Sequence, residues 1–193
     1  MKRPTLKSLE AIVGTLSVPS KMPCYGYSTP AARCKVGSKV ALDPNSICWG
    51  CYAKNGRYTF PRTIAAMEKR FQSLKDIKLW EETMTELIGR KEKSQWFRWH
   101  DSGDLQSVEH LNAIVNIAKN LPHLEFWIPT REYQIVRDWR KENGAFPKNL
   151  IVRVSAYFRG QAPKARYLED LPTSTVGWEE SSHICPAQNQ NNK

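Results

Sequence analysis

The stretch that decides the fold runs from residue 95 to residue 154 and reads QWFRWHDSGDLQSVEHLNAIVNIAKNLPHLEFWIPTREYQIVRDWRKENGAFPKNLIVRV. Three short runs in it are rich in aromatic or β-branched residues and predict strands. They are Gln95 to Trp99, Leu124 to Ile128 and Leu150 to Val154. Between them, apolar residues recur at helical spacing after Ser107 and after Thr130, which can cap the two helices. Strands and helices that alternate through short connections predict a parallel sheet with right-handed crossovers.

Two more helices are predicted upstream of this stretch. Pro61 can occupy the first turn of one helix, and Asp76 can cap a second helix that ends near Gly89. Residues 1 to about 60 differ from the rest, because they hold four of the five cysteines and many glycine, proline and serine residues. We expect mostly loops there, with one strand from Ala11 to Val18.

The length of 193 residues favours one α/β domain with a substantial core. Within it we distinguish a loop-rich cysteine segment (1–60), the helices and the β-α-β-α-β core (61–180) and a tail (181–193). In parallel sheets and barrels, ligands bind beyond the C-terminal ends of the strands. Three loops are therefore expected to meet there. They are His100 to Asp104, Pro129 to Arg131 and Ser155 to Gly160.

Charge and hydropathy narrow the class of protein. The formal net charge is +10 and the sequence pI is about 9.5, which suits a nucleic-acid partner. The basic residues are spread along the chain, however, so a charged soluble surface explains them as well, and both interpretations stay open.

No apolar run approaches the ~20 residues that span a bilayer, and no signal peptide is evident. We expect no membrane contact and a cytoplasmic location, where thiols stay reduced.

The cysteines carry the strongest chemical signal. Cys24, Cys34, Cys48 and Cys51 lie in one irregular segment, and the last two form a C-x-x-C pair whose sulfurs can converge on one metal. Buried reduced cysteines and a thioredoxin-like redox pair are the competing explanations. A segment with no apolar pattern gains most from a metal that fixes its shape, so we favour a metal centre. The loose outer spacing leaves zinc and an iron–sulfur cluster equally open.

Five stretches follow one another in order through most of the chain: Ser20 to Pro23, Cys34 to Lys39, Ser46 to Ala53, His100 to Asp104 and Phe126 to Arg131. Together they resemble a family of bacteriophage proteins named for gene product eighty-eight of a mycobacteriophage. The Cys-x-x-Cys-Tyr-Ala element and the Ser-Gly-Asp turn are similar to features of radical-SAM-like barrel proteins. The resemblance thus implies a partial or complete (βα) barrel with a loop-rich N-terminal metal-binding segment.

The resemblance also implies a ligand set. It makes Cys34, Cys48 and Cys51 the ligands of a [4Fe–4S] cluster, with Cys24 as the fourth and Cys185 as its competitor. It implies S-adenosylmethionine (SAM) as a further cofactor, facing the turn after the predicted strand that ends at Trp99. The residues predicted to bind a cofactor are His100, Asp101, Ser102, Gly103, Asp104, Thr130 and Arg131. For the turn residues, ordinary turn chemistry is the alternative role.

Two functions follow from these observations. The first is an iron–sulfur protein of phage type, redox-active or SAM-binding, whose reaction and catalytic residues the sequence does not name. The second is a basic nucleic-acid-binding module in which zinc or an iron–sulfur centre only stabilises the fold. A role in binding a host protein, in the cytoplasm of the host cell, stays open, and so does the question of whether the protein is an enzyme.

Overall fold

The computed structural model describes residues 3–19, 22–177 and 183–185. In these ranges the α-helices and strands are, in chain order, α1 (Leu6–Val13), β1 (Gly26–Tyr27), α2 (Lys35–Val40), α3 (Pro61–Ser73), α4 (Ile77–Lys91), β2 (Trp96–Trp99), α5 (Val108–Asn120), β3 (Glu125–Thr130), α6 (Tyr133–Asn143), β4 (Leu150–Ser155) and β5 (Thr173–Ser174). Short 3₁₀ turns cover Ala31–Arg33, Tyr52–Lys54 and Gly56–Thr59. The predicted tail lies outside the described residues, apart from residues 183–185.

The five strands form one parallel sheet in the order β1-β2-β3-β4-β5. In this sequential order every right-handed crossover runs in the same direction, so the connecting helices belong on one face of the sheet. Barrel walls are built in the same way. In the part of the chain that the structure describes, however, β1 and β5 are not paired with each other. The α/β class and the parallel sheet are confirmed, whereas closure into a barrel is not.

Alternation along the strands explains which face of the sheet is buried. In β2, Phe97 and Trp99 are buried, while Trp96 is 50% exposed. The same pattern continues in β4, where Ile151 is 42% exposed between two buried neighbours. Because side chains alternate between faces, one face meets the helices and the other is left partly open. Parallel sheets are usually covered on both faces, so the open face is unusual.

Three details of the predicted elements are wrong. Residues 11 to 18 do not form a strand: the Thr5 side chain caps α1 by accepting from the Ser8 amide at 3.1 Å, and that helix runs to Val13. Gly89 does not end α4, which continues to Lys91. Thr130 belongs to β3 rather than standing next to α6, whose first flanking residue is Glu132.

None of the helices that the structure describes is long and apolar enough to cross a bilayer.

Candidate functional site

A cavity of about 280 Å³ lies at the C-terminal edge of the sheet. The turn after β2 lines it with Gly103, the end of β3 with Pro129 and the end of β4 with Ser155. The structure thus brings the three predicted loops together. This is the edge where parallel α/β proteins bind their ligands, because there the strand ends and the loops leave an uncovered crevice.

Three of the predicted cysteines share this cavity: Cys34, Cys48 and Cys51. Gly37 of α2 shows how closely two of them approach each other. A Cβ atom at this glycine would lie 3.8 Å from the Cys34 sulfur and 3.6 Å from the Cys48 sulfur. Since the separation of the two sulfurs cannot exceed the sum of these distances, the sulfurs are less than about 8 Å apart.

Residues 34–58, which carry Cys34, Cys48 and Cys51 and are called the cysteine loop below, are hydrogen-bonded to the C-terminal edge of the sheet at three places. The Val36 amide, two residues after Cys34, donates to Glu132 Oε1 at 2.8 Å. The amide of Ile47, next to Cys48, donates to the carbonyl of Tyr157 at 2.9 Å. These bonds anchor the loop to the start of α6 and to the loop after β4.

The third tie lies beyond the C-x-x-C pair. The Tyr58 hydroxyl donates to Asp101 Oδ2 at 2.6 Å, and the Tyr52 hydroxyl donates to the Asp101 carbonyl. The Ser28 hydroxyl also donates to Asp101. Asp101 therefore connects the cysteine loop, the end of β1 and the turn after β2, which is a structural task.

Burial favours the protonated form of two thiols of this cavity, those of Cys34 and Cys48. Burial raises the pKa of Cys34, and the negative charges of Asp104 and of the other two thiolates raise it further. Burial also raises the pKa of Cys48, although the positive charge of Arg131 offsets part of this effect. Reactive cysteines have lowered pKa values, so the raised pKa of Cys48 is unlike that of the attacking cysteine in a thioredoxin-like redox pair.

The described cysteines do not form a site for a single metal ion. A tetrahedral zinc ion with Zn–S distances of ~2.3 Å brings its thiolates to within ~4 Å of each other. The described residues contain no group of three or more His, Cys, Asp or Glu side chains that could hold one metal ion. The cavity of about 280 Å³ has the volume of several water molecules, at ~30 Å³ each in the liquid, so it has room for a polynuclear group.

Cys24 does not line the cavity that the other three cysteines share. Cys24 is 6% exposed, precedes β1 and lines a different cavity with Pro23 and Trp96. Burial raises its pKa, and the nearby Glu92 carboxylate raises it further. Cys185 is exposed, and like the other four cysteines it forms no disulfide.

The predicted Ser-Gly-Asp turn is closely packed against the loop after β1. The Ser102 hydroxyl donates to the Thr29 carbonyl at 2.9 Å, and the Thr29 amide donates to the Ser102 carbonyl at 3.0 Å. Gly103 has a φ of +85°, and a Cβ atom there would lie 2.0 Å from Thr29 Oγ1 and 2.9 Å from the Thr29 carbonyl oxygen. Ser102 and Gly103 both line the cavity, and the hydrogen bonds and close packing of the turn hold them there.

Asp104 is the buried acid of the site. Its Oδ1 accepts from the Thr130 hydroxyl at 2.6 Å, and its Oδ2 accepts from the Arg131 amide at 2.9 Å. Burial raises the pKa of Asp104 to about 6, against the hydrogen bonds, which lower it. The carboxylate therefore holds the ends of β2 and β3 together and titrates near neutrality. The Arg131 side chain lines the cavity and donates through Nε to the Ala156 carbonyl at 2.9 Å.

His100 is the least satisfied side chain that lines the cavity. It is 3% exposed and has a φ of +53°, which non-glycine residues seldom adopt. Neither ring nitrogen has a hydrogen-bond partner among the residues that the structure describes. Burial, reinforced by the positive charge of Arg98, lowers its pKa to about 3, so the imidazole is neutral. Buried polar atoms normally have partners, and a bound group in the cavity would supply one.

Two contributors to the site were missed by sequence reasoning. Glu132 is buried, and its Oε1 accepts from the Val36 amide at 2.8 Å. Its position at the start of a helix, where acidic side chains are favourable, was the available signal. Tyr58 gave no signal, because its contact with Asp101 joins residues 43 positions apart.

The fold and the cavity together define a class: an α/β protein with one sequential parallel sheet and a three-cysteine cavity at its C-terminal edge. The family model for gene product 88 matches residues 2–188, and the chain belongs to that family. No curated protein and no solved structure matches the chain.

Proposed function

We propose that the protein binds a [4Fe–4S] cluster through the thiolates of Cys34, Cys48 and Cys51. The observation that carries the proposal is that these three side chains share one cavity at the ligand-binding edge of the sheet. Cys24, which lines another cavity, is absent from this set. Three protein ligands leave one iron open to a further ligand, whereas a purely structural or electron-transfer cluster uses four.

The electrostatics of the cavity support a cationic centre. The pKa values of Cys34 and Cys48 are raised by burial, so removing their protons is unfavourable unless a metal compensates the charge. Arg131 and Lys54 both favour the Cys48 thiolate and would offset part of the negative charge of a loaded site. The bonds from Val36 and Ile47 hold the loop in place before any metal arrives.

The proposal includes SAM as the ligand of the open position. The amino-acid end of SAM carries an ammonium and a carboxylate, and the cavity offers the Asp104 carboxylate and the Arg131 guanidinium. A planar guanidinium binds carboxylates well, and Arg131 is held in place by its bond to the Ala156 carbonyl. These two side chains would bind and orient the ligand, while the cluster would supply the redox chemistry.

The experiment is a series of cysteine-to-serine variants purified without oxygen. The wild-type protein should be brown, absorb near ~400 nm and contain several irons and sulfides per chain. Cys34→Ser, Cys48→Ser and Cys51→Ser should each lose most of the iron. Cys24→Ser is the matched control, since this buried cysteine lies outside the cavity, and it should keep the cluster.

Other results of the series would refute parts of the proposal. Loss of iron from Cys24→Ser, with unchanged thermal stability, would contradict the three-ligand site and favour four-cysteine ligation. Stoichiometric zinc in a colourless protein would contradict the cluster altogether. Failure of the cluster-loaded protein to bind SAM in equilibrium dialysis would refute SAM as the ligand of the open iron, but it would not contradict the cluster itself.

A second candidate function, nucleic-acid binding, is favoured by the open face of the sheet. Arg98 lies beside Trp127 across the β2–β3 ladder, and its guanidinium stands 4.7 Å from the centre of that indole ring. Trp96, 50% exposed, extends the same face. Bases of single strands stack on such aromatic and arginine surfaces. Binding to a single-stranded oligonucleotide should fall steeply with salt and weaken in Trp96→Ala, and no retention on heparin at low salt would contradict this function.

A further inference from the structure

A second cavity, with no cysteine in its lining, lies among the described residues. It has a volume of about 440 Å³ and is bounded by residues 16–19, by the 3₁₀ turn Gly56–Thr59 and by α3. Asp101 lines both this cavity and the cysteine cavity, so the two are neighbours. Its remaining charged side chains are all arginines: Arg57, Arg62 and Arg70.

Arg70 is the buried member of this group, at 6% exposed. Its guanidinium donates to the Thr15 carbonyl at 2.7 Å, to the Ser28 carbonyl at 3.2 Å and to Thr15 Oγ1 at 3.4 Å. All three acceptors are neutral, and no carboxylate in the described ranges forms an ion pair with it. A guanidinium has five N–H donors, so two remain for a further acceptor. Burial lowers the pKa of Arg70, although the Asp101 carboxylate is near enough to raise it, and an anion in the cavity would stabilise this buried charge further.

Arg57 and Arg62 add positive charge at the exposed side of the cavity. Neither forms an ion pair with a described carboxylate, in contrast to Arg33, which pairs with Glu68 at 2.9 Å. With Asp101 as the lining acid, three arginines against one aspartate leave two positive charges in excess. Such a lining suits a dianion.

The start of α3 adds backbone donors at the same place. The flanking Phe60 provides no side-chain cap, and Pro61, the first helical residue, has no N–H. The next two residues, Arg62 and Thr63, both line the cavity. Their amides belong to the first turn, where N–H groups lack intrahelical partners and attract anions.

Part of the cavity wall is apolar. It is formed by Leu16, Val18, Ala66 and Met67. An inorganic anion would leave this surface without a partner, whereas an organic molecule would cover it. The charged and apolar parts of the lining therefore match the two ends of a phosphorylated organic molecule.

We propose that this cavity, lined by Arg57, Arg62 and Arg70, binds the phosphate group of a phosphate monoester whose organic part rests on the apolar wall. The guanidinium groups donate to the phosphate oxygens in the bidentate manner that arginine favours. The same phosphate chemistry occurs in a small metabolite and in the backbone of a nucleic acid. The excess of two charges favours the dianionic monoester over the singly charged diester.

Isothermal titration calorimetry with phenyl phosphate tests the site directly. Phenyl phosphate carries one dianionic phosphate and one apolar ring, so it should bind saturably, and inorganic phosphate should compete with it. Arg57→Gln and Arg62→Gln should each weaken binding at least tenfold, because each removes an exposed ligand without disturbing the core. Arg166→Gln is the matched control: it removes the same charge from an exposed arginine that does not line the cavity, and binding should change less than twofold.

Several outcomes would overturn the proposal. One is the absence of saturable binding by phenyl phosphate or phosphate at millimolar concentration. Another is equal weakening by Arg166→Gln, which would show non-specific attraction by the net charge. A third is tighter binding of a (dT)10 oligonucleotide without terminal phosphates than of phenyl phosphate, which would assign the cavity to diester backbones. Thermal unfolding of each variant shows whether lost binding reflects lost folding.

Discussion

Replacing Gly103 by alanine tests whether the turn after β2 is held against the loop after β1 as closely as described. A Cβ atom at this position meets the Thr29 carbonyl oxygen at 2.9 Å and its carbonyl carbon at 3.1 Å, in addition to Thr29 Oγ1. These are backbone atoms of a buried residue and cannot simply rotate away. The φ of +85° adds strain for any residue with a side chain.

A second glycine separates the two contributions to the loss of stability, which are the dihedral strain and the displacement of Thr29. Gly144 ends α6 with a φ of +78°, and a Cβ there would meet nothing within 4 Å. Gly144→Ala therefore carries only the strain of a positive φ, about 1–3 kcal/mol. Gly103→Ala carries strain of the same origin plus forced displacement of Thr29, about 1–3 kcal/mol, giving about 4 kcal/mol in all. For a chain of this length, each 1 kcal/mol lowers Tm by roughly 2–4 °C.

The assay is urea unfolding followed by circular dichroism and tryptophan fluorescence, which must agree for a two-state analysis. We expect Gly103→Ala to lower the free energy of unfolding by at least 1 kcal/mol more than Gly144→Ala does, a difference of about the overpacking penalty. Equal losses in the two variants would refute the close packing of the turn on Thr29. The bonding scheme that places Ser102 and Asp104 at the cavity would then have to be abandoned as well.

Three further predictions concern the same edge of the sheet. Gly37→Val should lower the iron content of anaerobic protein by more than half, because a side chain there fills the space between two sulfurs. Gly50→Val, whose Cβ would meet only Arg159 Nη2 at 3.9 Å, should not lower it. Burial raises the pKa of Asp104 to about 6, above its value in the unfolded chain. The free energy of unfolding should therefore fall as the pH rises from about 4 to about 6. Asp104→Asn should weaken this pH dependence in urea-unfolding measurements. Tyr58→Phe should cost about 2 kcal/mol of stability, since it removes a hydrogen bond to a carboxylate.

Each of these predictions has an outcome that contradicts it. Equal iron in Gly37→Val and wild-type protein would show that the two sulfurs do not face a common ligand. A pH slope that is the same in Asp104→Asn and wild type would assign the titration to another group. Unchanged stability of Tyr58→Phe would mean that Asp101 does not tie the cysteine loop to the turn.

The parallel core could be predicted because its signals are local. Ser107 and Asp76 cap α5 and α4 as expected, through bonds to the amides of His110 and Leu79. The strands β2, β3 and β4 lie within two residues of their predicted ends, because aromatic and β-branched runs mark them.

The errors lie where local signals compete. Residues 11–18 contain valine and threonine, which favour strands, but Leu9 and Val13 are spaced one helical turn apart and are both buried. That burial outweighs the strand propensity of the individual residues. Pro129 lies in β3 beyond the last residue that pairs with β2, which is Trp127, so at this position the strand is paired with β4 alone, as an edge strand that tolerates proline would be.

The site was predictable in its position but not in its internal bonding. Connectivity alone indicates that the loops after β2, β3 and β4 meet, since the ends of parallel strands share an edge. Spacing could not show that Cys24 and Cys34 line different cavities, because the path of an irregular loop depends on distant partners. One such partner is Glu132, which binds the Val36 amide across 96 positions of sequence.

Metal content, measured for iron and zinc together on protein purified without oxygen, tests the central claim most directly. The account predicts several irons per chain with a matching amount of acid-labile sulfide, and their loss when Cys48 alone is replaced by serine. A protein that carries no iron after anaerobic reconstitution, or that carries one zinc per chain instead, would contradict it.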